Sequence, residues 1–285
     1  MIETPSGEPL VPVFDWYQYS SPTNVRDLLE VLEPIAHEEP FRDDTPKLKG
    51  YGWAKKWGGP GGSVLIHYGG RNGDQYGPNV AGTGPLAPRV ADLTRAASIP
   101  HGVGRTDVRL DYLGDYDACR LRFIERCNAA GMATRDAGSC PESSMQLGRT
   151  VYGGSVSSVY QPTLYQKALQ LKAQRVDGLP ENYLRLEHRF TPSKSIEKAQ
   201  LAALTPMEIV GLRPVARDLS LSLAELAVKP YKLTKQVKER DAYYWMLRQH
   251  SKTLYRLLDD HGSPAAVGQQ MFLDLADIEE EEAAH

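Results

Sequence analysis

Two short segments constrain the fold more than any other feature of this chain. Arg105-Thr106-Asp107-Val108-Arg109-Leu110-Asp111 and Tyr183-Leu184-Arg185-Leu186-Glu187-His188-Arg189-Phe190 both place charged residues at every second position. Side chains alternate faces along a strand, so Asp107, Arg109 and Asp111 share one face and Val108 and Leu110 the other. In the second segment Arg185, Glu187 and Arg189 oppose Leu184, Leu186 and Phe190. Such strands suit an antiparallel sheet with one packed face and one polar face, not a parallel sheet buried on both sides. A third segment, Thr163-Leu164-Tyr165-Gln166-Lys167, sends Leu164 to the core side and Thr163, Tyr165 and Lys167 to the polar side.

The remaining pattern adds helices. Val11 to Tyr17 reads as an aromatic, β-branched strand. Val25 to His37 has apolar residues at helical spacing, with Thr23 or Asn24 as N-cap. Residues 50 to 88 carry glycines between short strand-like runs, which predicts hairpins. Gly82-Thr83-Gly84 lacks the lysine ending of a phosphate loop and the third glycine of a dinucleotide fingerprint, so it reads as a strand-to-helix turn. Tyr116 to Ala130 reads as a helix, and Thr150 to Gly153 and Ser158 to Lys167 as strands. After Thr191 the chain switches to helices. Thr205-Pro206-Met207-Glu208 forms a capping box, and Lys232 to Asp260 is a long helical stretch. Four consecutive glutamates mark an acidic tail. The expectation is an α+β fold: an antiparallel sheet domain over 1–192, a helical region over 193–276 and a tail over 277–285.

The bulk numbers exclude little. Against 33 Lys and Arg stand 36 Asp and Glu, for a formal charge of -3, so the chain as a whole does not advertise a nucleic-acid partner. The three cysteines lack zinc-finger spacing and read as free thiols. There is no basic and apolar leader after Met1, and no run approaches the ~18 apolar residues of a membrane span. The expectation is a soluble cytoplasmic protein without a membrane partner.

If the three charged strands are neighbours, one sheet face gathers Asp107, Asp111, Glu187, Tyr165 and Lys167, with arginines around them. Three carboxylates suit a hard cation, Mg²⁺ or Mn²⁺, which would polarise a scissile phosphate. A tyrosine hydroxyl titrates near ~10 and is a weak nucleophile at neutral pH; the metal or Lys167 would favour its phenolate. Attack on phosphorus would join a 5′ phosphate to the tyrosine and free a 3′ hydroxyl. The plainer reading is solvated charge and ordinary cross-strand Arg–Glu pairs. A basic stretch over 229–256, including Lys232, Lys235, Lys238, Arg248 and Lys252, suits phosphate contacts on DNA. Lys47, Lys49, Lys55 and Lys56 with Trp53 and Trp57 form a second candidate, where aromatics stack on unpaired bases or pack in the core.

The same segments resemble the replication initiation factor family of rolling-circle replicons, which includes plasmid and filamentous-type phage initiators and is related to MobT-type relaxases. Asp15-Trp16 looks like the family's opening, and Gly77 to Arg95 like its next block. Arg105-x-Asp107-x-x-x-Asp111 is similar to its first acidic motif. Gly148 to Ser155, followed by Ser158, resembles its Gly-rich hairpin. Leu164-Tyr165-Gln166-Lys167 resembles its tyrosine-x-lysine strand, and Arg185-Leu186-Glu187 its closing acidic strand. Gln166 departs from the pattern, since the family often has an acid there. The resemblance implies a nucleotidyltransferase sheet related to HUH nucleases, in which carboxylates largely replace the histidine pair. It implies a metal-dependent, strand-specific nicking enzyme with Tyr165 as nucleophile and Tyr152 and Tyr160 as rivals. Lys167 would assist, and Asp107, Asp111 and Glu187 would hold Mg²⁺ or Mn²⁺. Arg105, Arg109, Arg149, Arg185 and Arg189 would meet DNA. Origin DNA, a host helicase and a second copy of the chain are the implied partners. A conjugative relaxase and an inactive DNA-binding regulator with the same fold are the alternatives.

Overall fold

A computed structural model describes residues 2–42, 47–59, 61–137, 149–173 and 178–231, and scattered positions at 45 and within 256–270. In chain order the first elements are β1 (Val13–Ser20), α1 (Val25–Glu38), β2 (Phe41–Arg42), β3 (Trp53–Gly59), β4 (Gly62–Tyr68), α2 (Gly70–Tyr76), β5 (Asn79–Thr83) and α3 (Leu86–Ala96). Next come β6 (Gly102–Gly114), α4 (Tyr116–Ala129), β7 (Thr134–Ala137), β8 (Thr150–Gly153), β9 (Tyr160–Gln166), α5 (Lys167–Ala173) and β10 (Tyr183–Phe190). The chain continues through α6 (Ser195–Ala203), α7 (Pro206–Gly211), α8 (Pro214–Ala224) and β11 (Ala227–Pro230). All strands join one antiparallel sheet, in the order β2-β3-β4-β5-β1-β6-β10-β9-β8-β7, with β11 also pairing with β6.

One face of the sheet carries the core. Phe14, Tyr17 and Tyr19 of β1 meet Leu28 of α1, Val90 of α3, Leu201 of α6 and Ile209 of α7. Farther along, Leu110 and Tyr112 of β6, Leu164 of β9 and Leu184 and Leu186 of β10 meet Phe123 and Cys127 of α4 and Leu219 and Leu223 of α8. Each such side chain withdrawn from water contributes roughly 1.5–3 kcal/mol. The core also holds a buried polar cluster at His188. His188 contacts Tyr160 Oη through Nδ1 and Ser220 Oγ through Nε2, both at 2.8 Å. Ser220 Oγ already donates to the Ala216 carbonyl, so His188 Nε2 donates to Ser220, and Nδ1 accepts from Tyr160. Burial holds this imidazole neutral, with its pKa lowered to about 3.

The local signals act as expected. Asn24 caps α1 by accepting from the Asp27 amide, and Thr205 with Glu208 forms the capping box of α7. In Gly82-Thr83-Gly84, a Cβ on Gly82 would lie 2.8 Å from Val90 Cγ2, so the glycine lets α3 pack closely on β5. Gly84 turns the chain at φ +57°, a conformation that favours glycine. One expectation fails. The stretch after Thr191 is not purely helical, because β11 returns to the sheet beside Gly114, Leu113 and Tyr112. Val228 in β11 is exposed, and this short strand has too little alternation to be read from sequence.

Residues 1–232 form one compact unit and residues 233–285 a second. In the second, residues 265–270 are helical, and Ser263 Oγ accepts from the Ala266 amide at 3.2 Å. The other residues expected in a long helix or an acidic tail lie mostly outside the described ones, as do Lys232, Lys235, Lys238, Arg248 and Lys252. Among the described residues, no helix is long and apolar enough to cross a membrane.

Candidate functional site

The polar face of β6, β10 and β9 is a checkerboard of charge. Along β6 the outward residues run Arg105, Asp107, Arg109, Asp111, and along β10 they run Arg185, Glu187, Arg189. The antiparallel register sets Asp111 opposite Arg185, Arg109 opposite Glu187 and Asp107 opposite Arg189. Every cross-strand pair therefore joins opposite signs, the favourable arrangement for facing residues. On the far side of β10, Tyr165 lies opposite Arg185, Thr163 opposite Glu187 and Gln161 opposite Arg189. The neighbourhood of the three strands, only assumed from the sequence, is thus the observed one.

A β-bulge in β1 supplies a fourth carboxylate. The register with β6 shifts between Phe14 and Trp16, so the strand carries an extra residue there. Phe14 and Tyr17 both enter the core, while Asp15 and the intervening Trp16 meet groups on the polar face. Asp15 Oδ1 accepts from Arg109 Nη1 at 2.6 Å and from Arg185 Nη1 at 3.0 Å. The sequence reading assigned no role to Asp15; its signal was a lone acid in an otherwise aromatic strand.

Arg185 is the hub. It forms a bidentate pair with Asp111 (Nε to Oδ1 2.6 Å, Nη2 to Oδ2 2.9 Å) and donates to Tyr183 Oη at 3.2 Å. Its side chain is only 3% exposed. Asp107, equally buried, accepts both Nε and Nη2 of Arg105, with Arg189 Nε at 3.4 Å. The polar face is partly closed by its own ion pairs, with Arg105, Arg109 and Arg189 left partly exposed at its margin. Burial by itself would raise the Asp15 pKa, but Arg185 and then Arg109 outweigh it, and the carboxyl is held below its ordinary value.

Tyr165 meets this cluster through its hydroxyl, which donates to Glu187 Oε2 at 3.1 Å. Burial, and after it the repulsion of Asp107 and Asp15, raises Glu187 to about 7. Within the protein alone, the phenol is not activated. Burial pushes the Tyr165 hydroxyl well above its ordinary value, and the pull of Arg185 does not reverse this. Lys167 starts α5 rather than continuing the strand. Its Nζ donates to Gln170 Oε1 at 2.8 Å and lies 5.7 Å from the centre of the Tyr165 ring. Burial and then the repulsion of Arg185 lower Lys167 to about 8.

The rival tyrosines separate by position. Tyr160 is buried on the core face beside His188 and Phe190. Tyr152 lies opposite Thr163 on β8, one strand beyond Tyr165, under the Arg135 guanidinium. Gln166, opposite Leu184, points away from Tyr165. Arg149 stays outside the cluster, paired with the exposed Asp117 and stacked on Tyr116. In the lysine-rich segment Trp53 is exposed under Lys47, whereas Trp57 packs against the core.

As arranged, the carboxylates do not offer Mg²⁺ or Mn²⁺ an all-oxygen cradle. Four arginines interleave with Asp15, Asp107, Asp111 and Glu187. Among the described residues, no three His, Cys, Asp or Glu side chains stand together as a metal site. What the face offers is a dense set of guanidiniums, the group best matched to phosphate oxygens, around one phenol hydrogen-bonded to one carboxylate.

No family model and no curated protein matches the sequence. The fold does have a solved counterpart. It is similar to the structure of a rolling circle replication initiator protein from Geobacillus stearothermophilus, with a TM-score of 0.50 and 18% identity. The match covers 82% of this chain and 91% of that one. The antiparallel sheet with helices is therefore an architecture that such an initiator also uses.

Proposed function

We propose that this chain initiates rolling-circle replication by nicking one strand of origin DNA with Tyr165, on a sheet related to that of the HUH nucleases. The observation that carries the reading is the hydrogen bond from Tyr165 Oη to Glu187 at 3.1 Å, set among guanidiniums on a fold shared with a rolling-circle initiator. Glu187, near half-ionised at neutral pH, is suited to take the phenolic proton as the oxygen attacks phosphorus. The P–O3′ bond breaks, the 5′ phosphate joins Tyr165, and the 3′ oxygen leaves as a hydroxyl. Lys167 is a nearby cation able to supply that proton. Arg189, whose own ion pairs are long, favours the added negative charge of the pentavalent state, while Arg109 and Arg185 hold Asp15 and Asp111 in place around it.

The test is formation of a covalent protein–DNA adduct on single-stranded oligonucleotide libraries with Mn²⁺ present, followed by mass spectrometry of the linked peptide. Tyr165→Phe should abolish the adduct, a loss of at least ~1,000-fold, with the fold intact. An adduct on Tyr152, or full activity in Tyr165→Phe, sinks the assignment. Chelation and add-back in the same assay read the metal requirement. A requirement would mean that DNA draws the arginines off the carboxylates, because the carboxylates as arranged are engaged by those arginines.

A further inference from the structure

Trp16 has no part in the nicking chemistry, yet the bulge turns it onto the same polar face. The Arg105 guanidinium lies over its ring, 4.3 Å from the centroid. Trp16 Nε1 donates to Gln18 Oε1 at 3.2 Å, which fixes the indole plane. Arg105 is fixed as well, by the bidentate pair with Asp107, whose side chain is 3% exposed. The guanidinium is thus held over the indole face, and the Arg105 side chain remains 28% exposed there.

The electrostatics decide what such a stack can hold. The charge of Arg105 is matched by a buried carboxylate, so a phosphate arriving here meets a nearly neutral pair. What remains is a flat surface with fixed orientation, which recognises another flat π-system. Arg189, on the other side of Asp107, is a better phosphate partner. Its contacts are long, 3.4 Å to Asp107 and 3.7 Å to Glu187, and its side chain is 30% exposed. Beside it Gln161 is buried, and its Nε2 finds no hydrogen-bond partner among the described residues. Trp16 and Tyr165 sit on strands separated by β6 and β10 and in rows offset along them, roughly 20 Å apart by strand spacing and rise. That span corresponds to a few nucleotides of an extended single strand.

We propose that Trp16 and Arg105 form a seat on which an unpaired base of single-stranded DNA stacks, a few nucleotides from the strand scission. The seat rests on the DNA-handling reading above. Its contribution is sequence-tolerant, because every base presents a π-face. The bound base covers the outer face of Arg105, with Trp16 backing it, while Arg189 holds a neighbouring phosphate.

The test compares dT20 with an abasic 20-mer carrying the same number of phosphates, by fluorescence anisotropy at fixed low salt. Wild type should prefer dT20. Trp16→Leu and Arg105→Lys should each lower that preference by roughly fivefold or more, as loss of one stacked base requires, with affinity for the abasic chain nearly unchanged. Arg105→Lys keeps the charge and a partner for Asp107, so it remains informative if Trp16→Leu fails to fold. An unchanged preference in Arg105→Lys, or an equal loss on both probes, overturns the seat alone. Failure of wild type to bind either probe overturns the seat and the DNA-handling reading together. Loss of adduct formation by itself leaves this measurement intact, because the measurement needs no cleavage.

Discussion

The two faces of β6 and β10 each bury residues completely, by opposite means. On one face Leu110 and Leu186 are 1% exposed against α4 and α8. On the other, Asp107 and Arg185 are 2% exposed among ion pairs. Apolar packing answers the loss of one member with a cavity. An ion-pair lattice answers it with a charge left unpaired away from water. The core face therefore holds the sheet together. The polar face holds a strong, directional field in place, at the cost of depending on complete pairing.

Truncating each face should show this contrast most clearly. Arg185→Gln removes the buried partner of Asp15 and Asp111, leaving them Arg109, and should cost roughly 3–5 kcal/mol, measured by urea denaturation. Leu164→Ala, on the same strand as Tyr165 but facing the core, should cost a comparable 2–5 kcal/mol. The two should part in function: adduct formation per folded molecule survives Leu164→Ala and fails in Arg185→Gln. Equal activity in both would remove Arg185 from the chemistry.

The next largest difference lies in pH. His188, on the core face, has a folded pKa of about 3 against an ordinary value of 6.5. The unfolded chain therefore binds more protons between these values, and stability rises with pH across that window. Glu187, on the polar face, has a folded pKa of about 7 against 4.5. Here the folded chain binds more protons, so its contribution is complete below the unfolded value and is lost as pH rises toward 7. Each contribution is on the order of 3–5 kcal/mol, and in wild type they partly cancel between pH 4.5 and 6.5. In His188→Gln, stability should fall from pH 4.5 to 7; in Glu187→Gln it should rise more steeply than in wild type from pH 4.5 to 6.5. Parallel stability–pH curves for the two variants would refute the assignment of opposite signs.

The smallest effect should come from the exposed margin. Asp117→Asn breaks the pair with Arg149, whose two side chains are 62% and 38% exposed, and should change stability by less than about 1 kcal/mol. A larger loss would mean that the lattice extends beyond the buried cluster.

Much of this was legible in the sequence. Period two in Arg105–Asp111 and Tyr183–Phe190 named both faces of each strand, because a half-buried strand leaves that trace. The caps of α1 and α7 and the Gly82–Gly84 turn were equally plain, since their causes are local. The register was not legible. Nothing in either strand says that Asp111 meets Arg185 rather than another residue, and the checkerboard exists only once the strands are paired. The role of Asp15 was hidden for the same reason, as a bulge breaks the alternation by which the other site residues were found. The raised pKa of Tyr165 follows from burial by neighbours distant in sequence, so it could not be read from Lys167, two positions away.

The extra residue in β1 acts as a frame shift written into a strand. On either side of it, inside and outside obey the same rule with opposite parity. A one-for-one graft of this strand onto a regular partner would be correct from Tyr17 onward and inverted before it, turning Phe14 outward and its neighbours inward. Length, as much as residue type, is therefore what lets this strand set an acid and an indole side by side on a single surface.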